Sequence, residues 1–154
     1  SQKREDNMAI HKIDGVDGDD NFPKKFVTLY CTGAVTKGDW VVIDLADTTN
    51  GRGASVKQYA GSSLDATAFG IATETKTAAG NLVVQTAGLC DFANMTGSVA
   101  AGAALACDTT AGKASAAAGG DASSPCGIYI TSDGSSASVD AATNRVIIAD
   151  QGYF

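Results

Sequence analysis

From Phe22 onward, apolar residues come in short alternating runs separated by glycine, asparagine or aspartate turns. Six of these runs predict strands: "FVTLYC" (26–31), "WVVIDL" (40–45), "FGIATE" (69–74), "NLVVQTAG" (81–88), "CGIYIT" (126–131) and "RVIIAD" (145–150). Each is rich in Val, Ile, Thr or aromatic residues, which suit a pleated, half-buried surface. Strands this short and this closely spaced predict an all-β sandwich or barrel. The Ala-rich pieces "GSVAAGAALA" and "KASAAAGG" carry the only helical propensity, and their glycines argue against a long helix.

The pattern repeats. "AVTKGDWVVID" (34–44) is echoed by "SVAAGAALACD" (98–108), with Val35, Gly38, Val41 and Asp44 matching Val99, Gly102, Leu105 and Asp108. Downstream, "FGIATET" matches "CGIYITS", and "AAGNLVVQTAG" matches "AATNRVIIADQG", aligning Val83 with Val146. Three motifs in the same order predict two related β units of about 60 residues each, roughly 34–88 and 98–152, sharing one core.

The repeat also bears on chemistry. Lys37-Gly38-Asp39 suggests an adhesion tripeptide or an acid-base pair, but the second copy reads Ala101-Gly102-Ala103 and keeps only the glycine. Gly38 and Gly102 are therefore expected to be structural turns at positive φ, with Lys37 and Asp39 facing solvent beside the first. Trp40 aligns with Ala104, which predicts a packing residue or a subunit contact. Cys107 aligns with Ile43 and Cys126 with Phe69, so both are expected to be buried thiols acting as small hydrophobes. Asp44 and Asp108 follow strands and read as turn formers bonding their own backbone.

Residues 1–21 break the alternation. Nine charged residues (Lys3, Arg4, Glu5, Asp6, Lys12, Asp14, Asp17, Asp19 and Asp20) leave little to bury, so the segment is read as a flexible, extended N-terminal arm before a single β domain over 22–154. Within it, "DGVDGDDN" lacks the alternating acids and distal Glu of an EF-hand loop. A zinc site is not expected either, because the four cysteines form no C-x-x-C pair and the single His11 lies in the arm.

With a net charge of -6 and no basic cluster beyond Lys3-Arg4 and Lys24-Lys25, the chain lacks the basic face that nucleic acid requires. No apolar run is long enough to span a membrane as a helix, and the charged start differs from a signal peptide, so synthesis and folding in a cytoplasm are expected. There is no second histidine, no G-x-S-x-G and no P-loop, since "GRGAS" (51–55) lacks the Lys-Ser/Thr ending. The reading is a non-enzyme with no cofactor and no metal.

Taken in order, the charged arm, "AVTKGDWVVID", "FGIATETKTAAGNLVVQTAGLCDF", "SVAAGAALACDTTAGKAS", "PCGIYIT" and "NRVIIAD" resemble the small capsid decoration or cement proteins of tailed bacteriophages over nearly all of residues 22–150. The resemblance implies an all-β virion protein on the outer capsid surface that binds the major capsid protein, assembles as a homotrimer and stabilises the shell without catalysis. Met8, Ile10, Ile13, Lys24 and Lys25 are the expected capsid contacts. The alternative is a non-catalytic β-barrel module that binds carbohydrate or protein. Aromatics make up only 6% of the chain and are scattered, which favours the structural reading.

Overall fold

The computed structural model describes residues 22–60, 67–107, 110–117, 126–130, 137–138 and 144–149. The expected arm lies outside the described residues. Among the described residues eleven strands follow in order: β1 (Lys25–Cys31), β2 (Trp40–Ile43), β3 (Ser55–Gln58), β4 (Gly70–Ala72), β5 (Gly80–Cys90), β6 (Ser98–Val99), β7 (Ala104–Cys107), β8 (Ala114–Ala116), β9 (Gly127–Ile130), β10 (Ala137–Ser138) and β11 (Arg145–Ile148). No helix occurs among the described residues, which are all-β. The Ala-rich pieces hold β6, β8 and most of β7: backbone pairing outweighs the helical preference of alanine there.

Nine strands form one mixed sheet in the order β1-β3-β2-β4-β5-β11-β9-β7-β8, and β1 also pairs with β5. The remaining two, β6 and β10, pair with each other. Strand β5 is the longest, and its two ends have different neighbours. Residues up to Ala87 lie against β1, whereas Gly88, Leu89 and Cys90 lie against Ile148, Ile147 and Val146 of β11. The change of partner falls at Gly88, whose φ is 89. A Cβ there would come within 2.7 Å of the Phe22 and Pro23 carbonyl oxygens, so only glycine lets the entering chain cross β5 at this point.

Pairing registers recur along the chain. Trp40 lies opposite Ile71 and Val41 opposite Gly70, just as Ala104 lies opposite Ile128 and Leu105 opposite Gly127. The turns before β2 and β7 bond alike. Gly38 N–H donates to the Ala72 carbonyl at 2.9 Å and Gly102 N–H to the Tyr129 carbonyl at 2.8 Å. The two glycines have φ of 95 and 83. One sequence match is displaced. Val84, which faces Ala72, corresponds by pairing to Val146, which faces Tyr129. Val83, aligned with Val146 from the sequence, is half-buried where Val146 is fully buried; a shift of one residue exchanges the two faces of a strand.

Among the described residues the buried side chains form two clusters, where the repeat led to an expectation of one shared core. Cys31, Val35, Val41, Val56, Phe69, Ala72, Leu82 and Val84 make the first. The second is larger and contains Trp40, Val42 and Ile71 together with Met95, Val99, Leu105, Tyr129, Val146 and Ile148. Because side chains alternate along a strand, β2 sends Val41 into one cluster and Trp40 and Val42 into the other. Strand β2 is thus buried on both faces, as its unbroken Trp-Val-Val-Ile run requires.

The two turn glycines differ in surroundings. A Cβ on Gly102 would meet nothing within 4 Å, whereas one on Gly38 would overlap the Phe92 carbonyl oxygen and approach the Asn94 side chain. Gly102→Ala is expected to lose about 1 kcal/mol from backbone strain alone. Gly38→Ala should lose about 3 kcal/mol or more, since a backbone oxygen cannot move aside as a flexible side chain does. Urea unfolding of both variants checks the ordering, and equal losses would contradict it.

Candidate interaction surface

The Lys37-Gly38-Asp39 turn is divided by the fold. Lys37 is exposed, its ammonium 4.9 Å from the centre of the Phe92 ring. Asp39, expected to face solvent, is 4% exposed. Its Oδ2 accepts from Thr36 N–H at 2.9 Å and Gln58 Nε2 at 2.6 Å, and its Oδ1 accepts from Asn94 Nδ2 at 2.6 Å. Three donors from separate segments satisfy the buried carboxylate, so it works as a structural clasp and has no free acceptor aimed at solvent. Gly112, with φ 71, allows the turn before β8 to rest on Asp39, because a Cβ there would lie 2.6 Å from the carboxyl carbon.

Asn94 completes the clasp. Its N–H donates to the Gly38 carbonyl at 2.9 Å, while its own carbonyl accepts from Trp40 Nε1 at 3.2 Å and Ala114 N–H at 3.2 Å. Trp40 is fully buried within the chain and acts as a packing residue.

Other carboxylates near the turns also engage nearby groups of the chain. Asp44 accepts from Ala46 N–H at 3.0 Å, the expected turn geometry, and from Thr32 Oγ1 at 2.7 Å. Asp108 lies outside the described residues. Asp47 accepts from the Ser55 hydroxyl and from the Asn50 side chain and N–H, and these bonds hold its carboxyl down at about 2, below the usual 3.8.

No disulfide joins the four cysteines. Cys31, Cys90 and Cys126 are buried, and burial pushes the Cys90 thiol up to about 11. Cys107 departs from expectation: it is half-buried, as is its sequence counterpart Ile43, and both are the last residues of their strands. Among the described residues, no group of three or more His, Cys, Asp or Glu is arranged to hold a metal ion.

The outer side of β1 differs from the rest. Phe26, Thr28 and Tyr30 occupy alternate, outward positions, with Phe26 55% and Tyr30 39% exposed, and Phe22 just before the strand is 45% exposed. These are three of the five large hydrophobic side chains exposed among the described residues, the others being Leu45 and Ile128. Lys24 and Lys25, two of the expected contact residues, are exposed beside them. Met8, Ile10 and Ile13 lie outside the described residues. A groove of about 320 Å³, lined by Phe22, Pro23, Lys25, Ala87, Gly88, Ile147 and Ile148, adjoins this surface where the chain crosses β5. The signal in the sequence was the F-x-T-x-Y alternation of 26–30, obscured because the intervening Val27 and Leu29 are apolar as well.

Compared with known proteins, the chain matches no family model, and no curated protein or solved structure matches it significantly.

Two outcomes follow from the buried and near-surface carboxylates. Asp39→Ala strands three donors and is expected to lose about 2 to 4 kcal/mol of stability, while Lys37→Ala should change it by about 0.5 kcal/mol or less. Calorimetric melting distinguishes the two. Asp47 has a folded pKa below its unfolded one, so its contribution is complete above pH 3.8 and fades as pH falls towards 2. Asp47→Asn should therefore flatten the loss of stability between pH 4 and 2, read from urea midpoints; an unchanged slope counts against this assignment.

Proposed function

We propose that the protein is a structural component of a tailed-phage virion that decorates the outer capsid surface, cements neighbouring major capsid protein subunits and self-associates as a homotrimer. We read its strands as a small β-barrel or β-sandwich built from two related units, preceded by an arm that contacts a neighbouring subunit or the shell. The recurring registers of β2 with β4 and of β7 with β9 support the two-unit reading, as do the like hydrogen bonds of Gly38 and Gly102. The resemblance to decoration proteins in the order of motifs supports the virion role.

One observation carries the proposal furthest. The carboxylates of Asp39, Asp44 and Asp47 are bonded within the chain, whereas exposed apolar side chains collect on β1 next to two lysines. That arrangement suits adhesion over a surface more than chemistry at a point. A cementing protein resists pressure through many modest contacts spread over a broad interface. The β1 row also favours a second reading as a non-catalytic carbohydrate-binding or protein-binding module, since exposed rings are the platform on which sugars stack.

Size-exclusion chromatography with and without expanded capsids of the cognate phage separates the two readings. Co-migration with the shell is expected, and exclusion from it alongside retained glycan binding would favour the second. Lys37→Ala is expected to decorate shells like the wild type. Loss of decoration with the fold intact would make the exposed lysine a contact site.

A further inference from the structure

Among the described residues, strand β1 has one edge paired throughout and one paired over only part of its length. β5 pairs along its whole length, but β3 meets the opposite edge only at Tyr30 and Cys31. Among the described residues, no strand lies against the open edge from Phe26 to Leu29. An open edge offers backbone N–H and C=O groups to an added strand, and neighbouring apolar side chains give such an addition its grip. Phe26 and Tyr30 stand exposed along this stretch, with Lys24 and Lys25 at its start.

The segment preceding Phe22 has matching chemistry. Met8 and Ile10 alternate as residues of a strand do, and Asp14, Asp17, Asp19 and Asp20 supply four negative charges opposite in sign to Lys24 and Lys25. Its direction of approach favours another copy over its own. Phe22 and Pro23 cross above Gly88 and share a groove with Ile147 and Ile148, which places the incoming chain on the β5 side of β1. A return to its own open edge requires a reversal and a passage over β1. Residues 14–21 fully extended reach about 26 Å, enough to bring residues 8–13 to a neighbour.

We propose that residues 8–13 of one copy add as a strand to the open β1 edge of a second copy, with Asp14 to Asp20 lying against the second copy's lysines. This deepens the self-association in the proposed function and rests on that part alone, since it requires no capsid.

A complementation experiment tests the exchange. Deletion of residues 1–13 removes the donated strand and leaves the edge intact, whereas Phe26→Glu spoils the edge region and leaves the strand intact. Phe26 is exposed, so the substitution should not unfold the body. In equilibrium sedimentation each variant alone is expected to associate on the order of tenfold more weakly than the full chain, and an equimolar mixture should recover a complex that neither forms alone. Raising the salt should weaken wild-type association. The proposal is overturned if the deletion variant associates like the full chain, which leaves a trimer built by the body, or if the mixture recovers nothing. A full chain that is monomeric throughout overturns it as well, along with the self-association it rests on. Capsid co-migration of the same variants reports separately on the virion reading.

Discussion

Burial of strand β2 on both faces is the constraint on which the rest of the chain depends. A strand with one wet face can shift or fray at little cost, but one whose side chains enter two clusters has its register fixed from both sides. Trp40 and Val42 enter one cluster and Val41 the other, so each is held by neighbours distant in sequence. Burial on both faces also forces the polar backbone at the entrance to β2 to find partners inside the protein. Gly38, Asp39 and Asn94 meet this need. Asn94 bonds the Gly38 carbonyl with its own N–H and the Asp39 carboxylate with its side chain, while its carbonyl receives the Trp40 indole.

This clasp explains why the two turn glycines are not equivalent. Gly102 needs only the left-handed conformation that glycine adopts without strain. Gly38 needs that conformation and also the absence of a side chain, because the segment carrying Phe92 and Asn94 passes directly over it. Gly112 serves the same purpose from the other side, where its bare Cα rests against the Asp39 carboxyl. Two glycines thus make room for one buried carboxylate. The charge of that carboxylate is matched by donors from Thr36, Gln58 and Asn94.

What could be read from the sequence followed local rules, and what could not depended on distant ones. "WVVIDL" and "RVIIAD" announced β2 and β11 because β-branched runs between turn residues have few other uses. β3, with the sequence Ser-Val-Lys-Gln, gave no such sign and forms because β1 and β2 offer it two edges to pair with. Asp44 behaved as a turn former since its bond to Ala46 spans two residues and needs nothing else. Asp39, beside a glycine turn, read as a solvent-facing residue. Its burial is set by Asn94, 55 positions away, and no local pattern encodes that contact. The exposed face of β1 was hidden for a different reason: every position from Phe26 to Cys31 is apolar or Thr, so alternation could not tell which set faces outward.

Strand β5 carries the same logic to the scale of the whole sheet. Its first part completes the set of strands that includes β1 and β4, and its last three residues begin the set that includes β11 and β9. A continuous backbone of 11 residues therefore links both groups, so a displacement of one is passed to the other through hydrogen-bonded strand and not through a pliable loop. At Gly88, where the change of partner occurs, the entering residues Phe22 and Pro23 lie directly on the strand. The positive φ that redirects β5 and the missing Cβ that admits the entering chain come from the same residue. Any side chain at position 88 would oppose both at once. The exposed Phe22 and Phe26 are thus carried by backbone that is fixed at this crossing and along β1, so a partner that covers them has little main chain left to order.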